Sequence, residues 1–149
     1  MSKYKSADLI LRLYEMRREP VMREARNWMI GFFPESSQDI MQAVMDPKLS
    51  AYFRMVVTYW DMACSLVNHG AIDDEMFRDA SGEYIIVFAK VEPFLEEMRA
   101  TMQSPGYLKN LEKFVMKMDN AKEVLATRRE TMKRWMQARE EMSKAAPQD

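Results

Sequence analysis

Cysteine and histidine are almost missing from this chain: 149 residues contain one of each, Cys64 and His69. A single thiol rules out an internal disulfide, and a reducing, cytoplasmic setting is the simplest context for it. The common metal patterns need more ligands than this. There is no HExxH, no CxxC and no Glu-x-x-His of the di-iron type. No metal and no other cofactor is expected. Glycine and proline are also scarce, at four and six, which argues against an all-β fold with many tight turns. The four glycines never fall as GxGxxG or GxxxxGK, so no phosphate loop is present. Long apolar runs are absent too. The longest, around residues 55–67, is short and carries Asp61, so no membrane span is expected. Lys3, Lys5 and Asp8 stand where the apolar core of a signal peptide would lie, and none is expected.

Charge of one sign is lacking overall, with a net of −1, but its distribution is uneven. Residues 1–34 have seven Lys/Arg against four Asp/Glu, net +3; residues 35–104 have five against twelve, net −7. Residues 105–149 have ten against seven, again net +3. Basic ends around an acidic middle suit self-association or an acidic partner. No segment is basic enough to imply nucleic acid by charge alone.

What the chain has in plenty is methionine, sixteen of them. Methionine forms helices well and fills irregular gaps, so it points to a helical core; it also makes adaptable binding surfaces. A chain of this length buries roughly 70% of the surface it exposes when unfolded, enough for one domain without a metal or disulfide.

Helical spacing runs through most of the sequence. Ser6 is placed to cap a first helix carrying Leu9, Ile10, Leu13 and Tyr14. Pro20 suits the first turn of a second, which Gly31 and Pro34 end. Ser37 and Asp39 start a short third. Asp46-Pro47 then opens the most apolar helix, about 47–69, whose apolar residues cover most of its circumference. That pattern marks a central helix stopped by Gly70. Asp73 caps a short helix, and 83–102 reads as another with a kink or restart at Pro93. After Ser104-Pro105-Gly106, residues 107–145 contain no proline or glycine and read as one long helix. The expected fold is all-α: a single-domain orthogonal bundle of about six helices over residues 1–119, with 120–149 as an extended C-terminal helix that docks, dimerises or stands in solvent.

The stretch YWDMACSLVNHG at 59–70 holds both scarce residues, yet Cys64 and His69 lie about 140° apart around a helix and do not face each other. A nucleophile–base pair is not expected there. Arg54, Asp61 and Asn68 instead fall on one narrow polar stripe of the central helix, with Ser50, Thr58 and Ser65. That stripe is the candidate site on this helix. His69 with Asp73, Asp74 and Glu75 reads as capping and a solvated acidic loop. Glu92, Glu96 and Glu97 share a helix region, but no second acidic set is apparent, and Glu96 is expected to pair with Arg99. Arg12, Arg17, Arg18, Arg23 and Arg26, and the later group Arg128, Arg129, Lys133 and Arg134, are interleaved with glutamates. They read as mixed solvated faces. The C-terminal helix presents Leu125, Met132, Trp135 and Met136 between charges, a candidate docking face for a protein partner or a second copy, with the arginine-rich second helix as a further candidate surface.

The run Leu66-Val67-Asn68-His69-Gly70-Ala71-Ile72-Asp73 with Glu75, Met76 and Phe77, followed by EYIIVFAKVEPFLEEMR at 83–99, resembles a pattern in uncharacterised bacterial all-helical proteins, a domain of unknown function. The resemblance covers about forty residues. It implies an all-helical fold and no activity. Such proteins often begin with a membrane helix, and none is expected here.

The sequence therefore points to an uncharacterised bacterial, non-enzymatic interaction or regulatory module. The alternatives are a helical nucleic-acid-associated factor and an enzyme using carboxylates around Asp61, Asp73 and Glu96.

Overall fold

The computed structural model describes residues 2–147, all of whose regular structure is helical. The helices are α1 (Lys3–Arg17), α2 (Pro20–Ile30), α3 (Ser37–Met45), α4 (Pro47–Asn68), α5 (Asp74–Ala80), α6 (Glu83–Val91), α7 (Leu95–Met102), α8 (Lys109–Val115) and α9 (Ala121–Ala145). A 3-10 turn at Glu92–Phe94 joins α6 to α7.

Local chemistry explains most of the boundaries. Asp46 caps α4 by accepting the Lys48 and Leu49 N–H groups at 2.9 Å, with Pro47 in the first helical position. At the other end Gly70 takes φ 80°, and the Ala71 N–H reaches back to the Leu66 carbonyl at 2.9 Å. That is a Schellman stop, which needs the left-handed residue glycine supplies. Glu19 caps α2 ahead of Pro20, and Asp73 caps α5, by accepting the Met22 and Met76 N–H groups. Pro93 cannot donate a hydrogen bond, and the chain tightens into the 3-10 turn there before α7 restarts.

The structure departs from sequence expectation at two boundaries. Ser2, not Ser6, caps α1; Ser6 is wholly buried inside the helix, and its hydroxyl accepts the Asp73 N–H at 3.0 Å. Helix α3 begins at Ser37 as expected, capped by Ser36, whose hydroxyl accepts the Asp39 N–H at 3.1 Å. The stretch 107–145 is not one helix but α8 and α9. Asp119 and Asn120, weak helix formers that compete for backbone hydrogen bonds, stand at the break. Breaking there lets two different faces be buried: Leu111, Phe114 and Val115 of α8, and Ala121 and Leu125 of α9.

Helix α4 is the centre, as its all-round apolar pattern implied. It packs against α2, α3, α5, α6 and α8, while α9 lies along α6. Phe53, Val56, Val57, Trp60, Ala63 and Cys64 of α4 are all at most 1% exposed. Around Trp60 an aromatic cluster forms. Tyr84 packs at 6.1 Å from Trp60, 5.4 Å from Phe77 and 5.3 Å from Phe114. Each such pair adds about 0.5–1.5 kcal/mol beyond the area it buries. The cluster ties α4, α5, α6 and α8 into one core.

Candidate interaction sites

The polar stripe of α4 serves the fold. Asp61 Oδ1 accepts the N–H groups of Asn110 at 3.1 Å and Leu111 at 2.9 Å, and its Oδ2 accepts the Asn110 side-chain amide at 3.2 Å. Asn68 Nδ2 donates to the Asn110 carbonyl at 3.0 Å. These contacts cap the start of α8, which has no side-chain cap of its own because Leu108 precedes it in a left-handed conformation at φ 57°. Arg54 is not brought into this set: it is exposed, and its Nε donates to Ser50 of its own helix at 3.4 Å. Cys64 and His69 stay apart. Burial pushes the Cys64 thiol far up, away from reactivity, while exposed His69 donates from Nδ1 to the Ser65 carbonyl at 2.8 Å.

Glu92 and Glu97 are also engaged. Glu97 accepts the Ser37 hydroxyl at 2.6 Å, and Glu92 lies 3.6 Å from Arg129. A second acidic element does reach them, since Glu112 of α8 lines the same shallow space as Glu92, Glu96 and Glu97. Glu112 is bound by Arg99 at 3.1 Å, so Arg99 turns to α8 and not to Glu96 as expected. Among the described residues no cluster of His, Cys, Asp or Glu has the arrangement to hold a metal ion.

Two charged side chains, Lys90 buried and Glu83 partly buried, have partners that sequence reading missed. Glu83 accepts Arg26 Nε at 3.0 Å and Trp60 Nε1 at 3.1 Å, tying α2, α4 and α6 together. Lys90, 4% exposed, donates to the Ile30 and Phe32 carbonyls at 3.2 and 2.6 Å and lies over the Phe33 ring at 3.7 Å. It closes the C-terminal end of α2, where a cation is favoured. Burial lowers its pKa to about 8. No local pattern announces either contact, because each partner lies on a distant helix.

The expected docking face of α9 divides. Leu125 is fully buried against the core, so it cannot meet a partner while the chain is folded. Arg129 locks the same half of α9 to α6 by donating to the Ala89 carbonyl at 2.7 Å. Met132 and Met136 are half-buried, whereas Trp135 is 71% exposed. Met142, which the sequence reading did not select, is 75% exposed and lies seven residues on, on the same face as Trp135.

Methionine also lines an open groove. Met16 at the end of α1, Met22 of α2 and Met55 and Met62 of α4 surround about 620 Å³, with Thr58, Tyr59 and, as the one charged residue among the described ones lining it, Glu19. The signal for it was the methionine surplus together with the seven-residue step from Met55 to Met62. Tyr59 also lines a second, smaller space beneath α1 and α5.

The sequence model of a family described as a domain of unknown function, DUF4760, matches residues 4–118. The chain belongs to that family. No curated protein and no solved structure matches it. The DUF4760 match spans α1 to α8 and so contains the groove and the smaller space, while α9 with Trp135 and Met142 lies beyond it. No described helix is long and apolar enough to cross a membrane.

Proposed function

We propose that this DUF4760 chain is a non-enzymatic interaction module that self-associates, the outer half of α9 from one copy, with Trp135 and Met142, seating in the methionine groove of another. The reading takes residues 1–119 as an orthogonal bundle and 120–149 as the extension whose outer part docks, in a bacterial, cytoplasmic setting that the lone free thiol suits.

One observation carries it: the chain exposes a tryptophan on the outer half of α9 and, elsewhere, an open groove lined by four methionines. Methionine side chains reshape around bulky guests and make favourable sulfur–aromatic contacts. A buried tryptophan removes about 150–250 Å² from water and is a frequent interface anchor. Charge agrees: Arg139 lies between Trp135 and Met142 on α9, and among the described residues the one charged side chain lining the groove is Glu19. A symmetric exchange closes as a pair and leaves no open end.

The basic side chains offer less to nucleic acid than their number suggests. Arg12 pairs with Asp8, Arg26 with Glu83, Arg129 with Glu92 and Lys133 with Glu35. An enzymatic reading finds Asp61 and Asp73 occupied as helix caps.

Light scattering tests the proposal. At tens of micromolar, where a micromolar contact is largely formed, the full chain should show twice the mass of one copy. Trp135→Ala and Met55→Glu should each return it to a monomer with an unchanged helical spectrum. A monomeric full chain, or a dimer that neither substitution weakens, rejects the reading.

A further inference from the structure

The smaller space beside Tyr59 has a chemistry different from the groove. It encloses about 140 Å³ between α1, α4 and α5. Leu13 and Phe77 give it apolar walls, Ala80 and Ser81 stand at its edge, and Arg17 is the one charged residue among the described ones lining it.

Arg17 is unusual in its surroundings. Its guanidinium lies over the rings of Tyr14 and Trp60 at 5.4 and 5.2 Å, and its Nε is shielded from solvent without a hydrogen bond. No carboxylate pairs with it among the described residues. The nearby carboxylate, Glu83, is already taken by Arg26 and Trp60. Arg17 is thus left as a half-buried guanidinium with no carboxylate of its own among the described residues, a positive charge beside an apolar cavity. Stacking offsets part of the cost of placing a charge there, but an anion would offset more.

We propose that this cavity binds a small apolar acid. Its carboxylate meets Arg17, with the Ser81 hydroxyl as a second donor, and its body lies against Leu13 and Phe77. The size sets the class: an apolar cavity of about 150 Å³ admits benzene, so a single ring or a short chain fits and a polymer does not. Inorganic phosphate is disfavoured, since it wants several converging donors and this site offers one guanidinium among apolar walls. The proposal does not depend on self-association.

Benzoate is the probe, with benzamide and inorganic phosphate as controls, read by thermal shift and by amide NMR of the full chain. Millimolar benzoate should raise the Tm and move the Ala80 and Ser81 amide signals; benzamide and phosphate should do neither. Arg17→Gln should abolish the response. Ala80→Phe, at an exposed position that blocks the edge of the cavity, should abolish it without disturbing the core, and it carries the test if Arg17→Gln fails to fold. No response to benzoate, an equal response to benzamide, a response to phosphate alone, or binding that survives Ala80→Phe overturns the proposal.

Discussion

Asp61 holds Asn110 across 49 residues of sequence, one carboxylate oxygen on the Asn110 backbone N–H and the other on its side-chain amide. Asn68 takes the Asn110 carbonyl, so this residue is gripped by α4 on both its backbone and its side chain. The grip substitutes for a helix cap that Leu108 cannot provide. Asp61→Ala should therefore destabilise the fold by about 1–3 kcal/mol, the cost of leaving buried donors unpaired. Urea unfolding measures it. Hydrogen exchange should locate the loss at the first turn of α8; a loss spread evenly over the chain would contradict the capping role.

The Glu83 cluster predicts a larger effect. Removing one partner of a shielded ion pair strands the other, which costs about 3–5 kcal/mol. Glu83→Ala should approach that figure, whereas Trp60→Phe, which deletes one hydrogen bond and keeps most of the packing, should cost far less. A double-mutant cycle between Glu83 and Arg26 should show coupling above about 1 kcal/mol. Additive effects would mean that the pair is incidental.

Lys90 predicts a dependence on pH. Its pKa falls from 10.5 to about 8 on folding because burial disfavours the ammonium. Below pH 8 both states carry the proton and stability is flat. Between pH 8 and 10.5 the unfolded chain binds more protons than the folded one, so stability rises with pH. Measured against Lys90→Met, the wild-type chain should gain about 2 kcal/mol between pH 7.5 and 9.5. A constant difference would show that the two carbonyls and the Phe33 ring hold the ammonium fully charged.

The first half of α9 belongs to the core, which changes what a truncation would mean. Leu125→Ala should cost about 2–5 kcal/mol, as for other fully buried leucines. A chain ending at Asp119 should unfold at markedly lower denaturant than the full chain, having lost Leu125 and the Arg129 contact to Ala89. Should that shortened chain match the full one in stability, α9 does not pack as described. Any loss of self-association in it would be ambiguous, and for that reason Trp135→Ala is the sharper test of docking.

Periodicity made much of this fold readable. The apolar circumference of α4, the Asp46-Pro47 start and the Gly70 stop are local signals, and each lies where the pattern put it. Signals weakened where the deciding partner is remote. Ser6 has the composition of a cap, yet α1 begins earlier and Ser6 spends its hydroxyl on Asp73, 67 residues away. The break at Asp119-Asn120 carries no proline or glycine, and burial of two helix faces decides it. The polar stripe through Asp61 and Asn68 was legible as a stripe. Its purpose was not, because Asn110 has nothing in its own neighbourhood to mark it as a partner. Leu125 and Trp135 share a helix and an apolar character, and only the packing of α6 separates the buried one from the exposed one.

Tyr59 stands at the edge of both the methionine groove and the Arg17 cavity, with its hydroxyl donating to the Leu13 carbonyl of α1. Its ring is thus a common wall. An acid that shifts Tyr59 to fit the cavity also reshapes the surface offered to a second copy, and a copy that presses on Tyr59 alters the cavity. Thermodynamics then fixes the relation between the two sites: whatever factor the acid applies to pairing, pairing applies to the affinity for the acid. In such a molecule, benzoate titrated against diluted and concentrated protein would give two affinities whose ratio measures the coupling directly.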